Sequence, residues 1–303
     1  MPYDTESQSR NADFISIARR AIRHLQHRRR CRPLSEANIT RRRQAVTTLG
    51  AKPRQPTPLN PLNLLNPLNP RAEGASPKYI KEIIMITINQ LICDFPDGGG
   101  KMLRALSVPS FTLPDGGMAV ITGPSGSGKT TFLHCLSGLL TPAAGTISIG
   151  DVTVTSLSAD ERCAFRSSRV GYVFQKPLLL PYLTVAENIR LSASLAGKRA
   201  EKGEIENLLE RVGLSGLENR RADRLSGGQQ QRVSFLRAIV RRPSLLLADE
   251  PTASLDEENG RKLMDFMLAY QGEEGCLLLC ATHDKRVMNR FPLRYDVQKG
   301  AFL

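Results

Sequence analysis

The sequence predicts an α/β domain organised on a phosphate-binding loop, and three observations carry that expectation. Residues 119–131 read Ala-Val-Ile-Thr-Gly-Pro-Ser-Gly-Ser-Gly-Lys-Thr-Thr, an apolar stretch that passes through a glycine-rich turn into a helical pattern. Residues 245–250, Leu-Leu-Leu-Ala-Asp-Glu, form an apolar strand ending in two carboxylates. The apolar strand 276–282 delivers His283 at its C-terminal end, the place where open α/β sheets bind ligands.

The spacing Gly123-x-x-x-x-Gly128-Lys129-Thr130 is that of a phosphate-binding loop. Gly126 and Gly128 allow a wrap tight enough to aim backbone N–H groups inward. The following helix adds unpaired N–H donors and the positive end of its dipole. Lys129 is a point charge for the β- and γ-phosphates, and the Thr130 hydroxyl is a hard oxygen ligand of the kind Mg²⁺ prefers. Gly123, Pro124, Ser125, Gly126, Ser127, Gly128, Lys129, Thr130 and Thr131 are therefore candidate nucleotide-binding residues.

With 303 residues and 41% hydrophobic content, the chain has material for one large domain or two small ones. Its net charge of +13 is unevenly placed. Residues 1–84 hold 16 Lys/Arg against 6 Asp/Glu, whereas residues 85–303 hold 26 against 23. The basic character belongs to the N-terminal arm, so it argues only weakly for nucleic acid, and no nucleic-acid partner is expected. The six cysteines, Cys31, Cys93, Cys135, Cys163, Cys276 and Cys280, contain no Cys-x-x-Cys pair and signal neither a zinc site nor a disulfide framework. Cys276 and Cys280 read as buried apolar residues of one strand in a reducing compartment. No run approaches the roughly 20 apolar residues of a membrane span, so a role in transport requires another polypeptide to supply the channel.

Residues 1–84 read as an extension. Phe14, Ile17, Ala18, Ala21, Ile22 and Leu25 fall at helical spacing opposite arginines, a pattern shared by helices that lie on anionic membranes and by transit peptides. His24 and His27 have no further ligand type beside them. Residues 57–70 repeat Pro, Leu and Asn, and their prolines forbid regular helix. Disorder or short extended pieces are expected there, and the working protein is expected to begin at or near Met85.

From Met85 the domain follows in order. Residues 85–95 and 101–113 read as two strands joined by Pro96-Asp97-Gly98-Gly99-Gly100. Phe95, 28 residues before Gly123, is a candidate to stack on an adenine or an ordinary packed strand residue. Residues 118–122 form the strand that feeds the loop. The helix from Lys129 to about Leu139 presents Phe132, Leu133, Leu136 and Leu139 on one stripe. Residues 145–155 alternate like a hairpin, Ser158 and Glu161 form a capping box, and the strand 170–174 ends at Gln175, placed to meet a ligand. Residues 184–224 are helical in pattern and highly charged, an inserted layer. Leu225-Ser226-Gly227-Gly228-Gln229 then opens a second helix with Ser226 as N-cap and bared backbone N–H groups, a second anion-binding start. Asp249 is the natural partner of Mg²⁺ beside the loop, and Glu250 is then free to accept a proton from an attacking water.

Together these motifs resemble the ATP-binding-cassette ATPases over about residues 85–303. The phosphate loop, the glutamine loop at Gln175, the signature 225–229, the Asp249-Glu250 pair, the Ser254-Leu255-Asp256 loop and the His283 switch all occur in the family's order. The resemblance implies a P-loop NTPase fold with a RecA-like core, an antiparallel β subdomain and an inserted α-helical subdomain at about 177–235. Residues 174–189 and 247–252 look like the lipoprotein-releasing and macrolide-export group, whose ATPases power a separate integral-membrane permease. That implies a peripheral protein at the cytoplasmic face of the cell membrane, with ATP and Mg²⁺ as ligands. It also implies a homodimer in which two copies sandwich ATP head to tail. Ser226, Gly227, Gly228 and Gln229 of one chain then meet the nucleotide of the other. Gln175 senses Mg²⁺ and the γ-phosphate, Glu250 polarises water, His283 holds the γ-phosphate and Asp256 couples the sites. Two alternatives are an importer ATPase and a cassette acting on ribosomes or nucleic acid. The single cassette and the short stretch of about 50 residues between Gln175 and Ser226 argue against the latter.

Overall fold

The computed structural model describes residues 84–97 and 100–303. The readings of the N-terminal helix, the proline repeat and the start of the working protein lie on residues outside that description.

Two sheets carry the domain. The first is antiparallel, in the order β2-β1-β4-β5, with β1 Ile86–Pro96, β2 Met102–Leu113, β4 Ala144–Ile149 and β5 Val152–Thr153. In β1 the inward-facing residues change from Ile86 and Ile88 to Leu91 and Cys93. The change occurs at Gln90, whose φ of 48° marks a bulge against β4. Phe95 pairs with Leu103 beside the turn that closes this hairpin, and both side chains are exposed.

The second sheet has six strands in the order β10-β9-β3-β8-β7-β6. These are β3 Met118–Thr122, β6 Val170–Val173, β7 Leu245–Asp249, β8 Leu277–Ala281, β9 Leu293–Asp296 and β10 Ala301–Phe302. All pairings except β10 with β9 are parallel. A parallel sheet is covered on both faces, which is why β8 and β7 as far as Ala248 are apolar at every position rather than alternately. Leu245, Leu247, Leu277 and Leu279 enter the core shared with the antiparallel sheet. Leu246, Ala248, Leu278 and Cys280 enter the core under the helices.

The helices are α1 Lys129–Leu136, α2 Ala159–Arg169, α3 Val185–Leu195, α4 Lys202–Arg211, α5 Gly227–Ile239, α6 Glu257–Glu274 and α7 Lys285–Met288. Reciprocal capping boxes start α2 (Ser158 with Glu161), α3 (Thr184 with Glu187) and α5 (Ser226 with Gln229).

Several expectations are corrected. Helix α1 ends three residues early, because Gly138 turns the chain at φ 66°. Leu139 therefore leaves the buried stripe and is exposed. Residues 154–156 are a short 3₁₀ turn rather than hairpin. Beyond Arg211 the inserted layer is not continuous helix, since Gly213 and Gly216 carry positive φ. The cysteines also show a relationship that spacing did not: Cys93 of β1 and Cys135 of α1 are buried with their sulfurs 3.2 Å apart.

Candidate active site

Strand register assembles the site. Ile121 of β3 faces Ala281 of β8, and Ala281 faces Asp249 of β7. The residues that follow this row, from Thr122, Glu250 and Thr282 onward, leave the same edge of the sheet. Neighbouring strands lie about 4.8 Å apart, so the phosphate loop, the two carboxylates and His283 emerge within two strand spacings. Phe174 and Gln175 leave β6 at the same edge, with Gln175 exposed.

The loop is shaped by what would collide with a side chain. A Cβ on Gly123 would lie 2.4 Å from Ser127 Oγ, and one on Gly128 would lie 2.5 Å from the Ala105 carbonyl oxygen. Gly128 precedes α1 in a left-handed conformation with no side-chain cap, so the first N–H groups of α1 remain available to an anion. In α2, α3 and α5 a capping box satisfies one of these N–H groups, that of the third helical residue. Ser127 Oγ is buried without a hydrogen-bond partner among the described residues. Lys129 is buried, and its ammonium donates to the carbonyls of Gly123 and Pro124 at 2.9 Å each, holding a positive charge across the loop. Pro124, Ser125 and Gly126 form its exposed rim, and Thr131 sits half-buried in the first turn of α1.

Asp249 is 6% exposed, and burial pushes its carboxyl above the usual carboxylate range. The neighbouring Thr130, His134 and Lys129 side chains pull the other way. A desolvated carboxylate next to a hydroxyl is a donor set that fits a hard divalent cation. Among the described residues no cluster of three His, Cys, Asp or Glu side chains offers an all-protein cage. Mg²⁺ usually takes one or two protein oxygens plus substrate phosphate, which these two residues match.

Glu250 sits just past β7 in a left-handed conformation, φ 42°, uncommon for a residue with a side chain. Its backbone N–H donates to the Ala281 carbonyl. One carboxylate oxygen lies 2.8 Å from His283 Nδ1 and the other accepts from the Thr282 hydroxyl at 2.9 Å. Thr282 was not singled out from the sequence. Its only signal there is a hydroxyl closing an apolar run beside His283.

The second anion-binding start lies at α5. Ser226 Oγ accepts the Gln229 N–H, and Gln229 returns its side-chain oxygen to the Ser226 N–H. Gln229 is thereby committed to the cap, whereas the Ser226 hydroxyl still has its own proton to donate. Gly227 is exposed, and a Cβ on Gly228 would meet Leu255 at 3.4 Å. Asp256 caps α6, accepting from the backbone and side chain of Asn259, and these bonds hold its carboxyl below the usual range. Phe95 lies on the hairpin of the antiparallel sheet, 39% exposed.

Comparison with known proteins agrees with this architecture. Residues 106–253 match the family model described as ABC transporter. The chain is 42% identical over 205 residues to the lipoprotein-releasing system ATP-binding protein LolD 1 of Caulobacter vibrioides, covering 67% of this chain and 88% of the relative. It is 39% identical to the ABC transporter ATP-binding protein YtrE of Bacillus subtilis over 66% of this chain and 92% of the relative. The solved dimeric post-hydrolysis state of the ATP-binding cassette MJ0796, bound to ADP and Pi, superposes with a TM-score of 0.66 at 31% identity. That match covers 71% of this chain and 95% of the other. From the loop, the paired carboxylates and these relatives together, the chain belongs to the ABC transporter family as an ATP-binding, ATP-hydrolysing cassette.

Proposed function

We propose that this cassette powers a release or export transporter of the lipoprotein-releasing type, working as a pair of copies beneath a separate integral-membrane permease on the cytoplasmic face of the membrane. The observation that carries the hydrolytic part is the row across β3, β8 and β7, which brings loop, carboxylates and His283 to one sheet edge. The loop N–H groups, Ser127 and Lys129 bind the phosphates, and Thr130 and Asp249 hold Mg²⁺, with Gln175 approaching from β6. Mg²⁺ when bound neutralises charge on the transferring phosphoryl group. Glu250 takes the proton of the attacking water and His283 hydrogen-bonds the γ-phosphate. Ser226 and Gly228 reach the nucleotide of the second copy, Asp256 links the two sites, and Phe95 stacks on the adenine.

A permease partner is supported by apolar surface on the inserted layer. Leu178, Leu180 and Leu195 are exposed large side chains there. Leu178 is held at φ 47° while the Arg237 guanidinium donates to the carbonyls of Pro177 and Leu178. Among the described residues no helix is long and apolar enough to cross a membrane.

The test is capture from gently solubilised membranes with tagged Glu250→Gln protein, ATP and Mg²⁺. A permease with a large extracytoplasmic domain is the expected companion. Recovery of an importer subunit with a solute-binding protein moves the function to uptake, and recovery of ribosomes or DNA-bound proteins alone overturns the transport reading.

A further inference from the structure

The geometry points to Thr282 as the residue that positions the Glu250 carboxylate for hydrolysis. The inference rests on the reading of Glu250 as the group that takes the proton of water.

Thr282 is fully buried at the end of β8, its backbone N–H bonded to the Ile121 carbonyl at 3.3 Å. It is thus fixed to the strand that feeds the phosphate loop. Its hydroxyl accepts the Asp284 N–H at 3.1 Å. A hydroxyl has one proton, and with Asp284 occupying a lone pair that proton is directed to Glu250 Oε2, 2.9 Å away. The other carboxylate oxygen is 2.8 Å from Nδ1 of His283, whose side chain is 75% exposed. The two partners of Glu250 therefore differ in kind. His283 is free to turn toward a γ-phosphate, whereas Thr282 cannot leave. When His283 changes partner, Thr282 alone keeps the carboxylate oriented.

The backbone adds a reason for such a holder. Glu250 stands in a strained left-handed conformation, anchored through its N–H to Ala281. Strain of this kind persists where the surroundings over-determine it. Thr282 follows Ala281 directly, so one short segment fixes both the main chain and the side chain of Glu250.

The experiment compares Thr282→Val, Thr282→Ser and Glu250→Gln in the full chain, by steady-state ATP turnover with Mg²⁺ and by ATP-driven dimerisation in solution. Loss of a hydrogen bond to a charged group corresponds to roughly tenfold or more in rate. Thr282→Val is therefore expected to lower kcat about tenfold with KM nearly unchanged and to accumulate as an ATP-bound dimer. Thr282→Ser restores most of kcat. In a Glu250→Gln background Thr282→Val adds nothing further, because the two residues act as one unit. Thr282→Ala brings in no bulk, carries the same expectation and replaces Thr282→Val if that variant does not fold. Wild-type kcat in both apolar variants, or a Thr282→Ser variant as slow as they are, overturns the inference. Full activity of Glu250→Gln overturns instead the reading of Glu250 on which it rests.

Discussion

The Thr130 side chain, in the first turn of α1, acts on the carboxylate of Asp249 at the end of β7 and draws its pKa down against the burial that raises it. This interaction joins the phosphate loop to the innermost carboxylate of the sheet, and it does not fully offset the cost of burying that charge. Asp249 therefore titrates above the ordinary Asp range. An acid with a raised folded-state pKa binds more protons in the folded than in the unfolded chain, so stability falls as pH rises through that interval. In Mg²⁺-free buffer, thermal melts of wild type are expected to lose stability across this window relative to Asp249→Asn. At neutral pH, Mg²⁺ with a non-hydrolysable nucleotide raises the wild-type midpoint and leaves that of the variant nearly unmoved. Coincident pH profiles would count against the burial argument.

Glu250→Gln keeps the size of the side chain and a hydrogen-bond acceptor but removes the proton-accepting charge. Turnover is expected to fall by roughly 10²–10⁴-fold, the usual range for a lost general base, while ATP still binds. Single-turnover measurements with equilibrium ATP binding separate the two effects, and near-normal turnover contradicts the assignment.

Phe95 distinguishes two uses of one ring. An exposed aromatic at a hairpin end contributes little to the core, whereas stacking on a base contributes about 1–3 kcal/mol. Phe95→Ala is expected to raise KM for ATP roughly tenfold with a small change in melting temperature, and Phe95→Tyr to preserve both. A large loss of stability at unchanged KM would make Phe95 a packing residue.

Gly128→Ala tests the shape of the loop. At φ 92° a side chain is strained, and its Cβ would stand 2.5 Å from the Ala105 carbonyl oxygen. The variant is expected to lose at least about 1 kcal/mol of stability and to show no thermal shift with ATP. Gly126→Ala keeps φ 77° but meets nothing within 4 Å, so its stability falls less.

Legibility in the sequence followed locality. The strand, loop and helix at 118–136 and the capping box of Ser158 with Glu161 depend on residues a few positions apart, and they appear where their spacing places them. The apolar strands 245–249 and 277–281 were readable because a two-faced core requires continuous apolar runs. The length of α1 was misread because the stripe continued past a glycine that stops the helix. Cys93 and Cys135 lie 42 residues apart in the chain, and only the docking of the antiparallel sheet on α1 brings them together. Thr282 stayed hidden for the same reason, its partner Glu250 lying 32 residues away on another strand. The capping duty of Asp256 follows the ordinary N-cap rule, an acceptor side chain just ahead of a helix.

The shared register of β3, β8 and β7 sets how the molecule accepts insertions and deletions. Side chains alternate between two cores along β7 and β8, so one residue added within either strand exchanges the two faces. It also moves everything beyond it by about 3.3 Å along the strand. For β8, that carries Thr282 and His283 out of reach of Glu250 while the fold class survives. Substitution at the surface and length change in loops are tolerated routes of divergence for such a domain, whereas the residue count of its central strands is not free to drift.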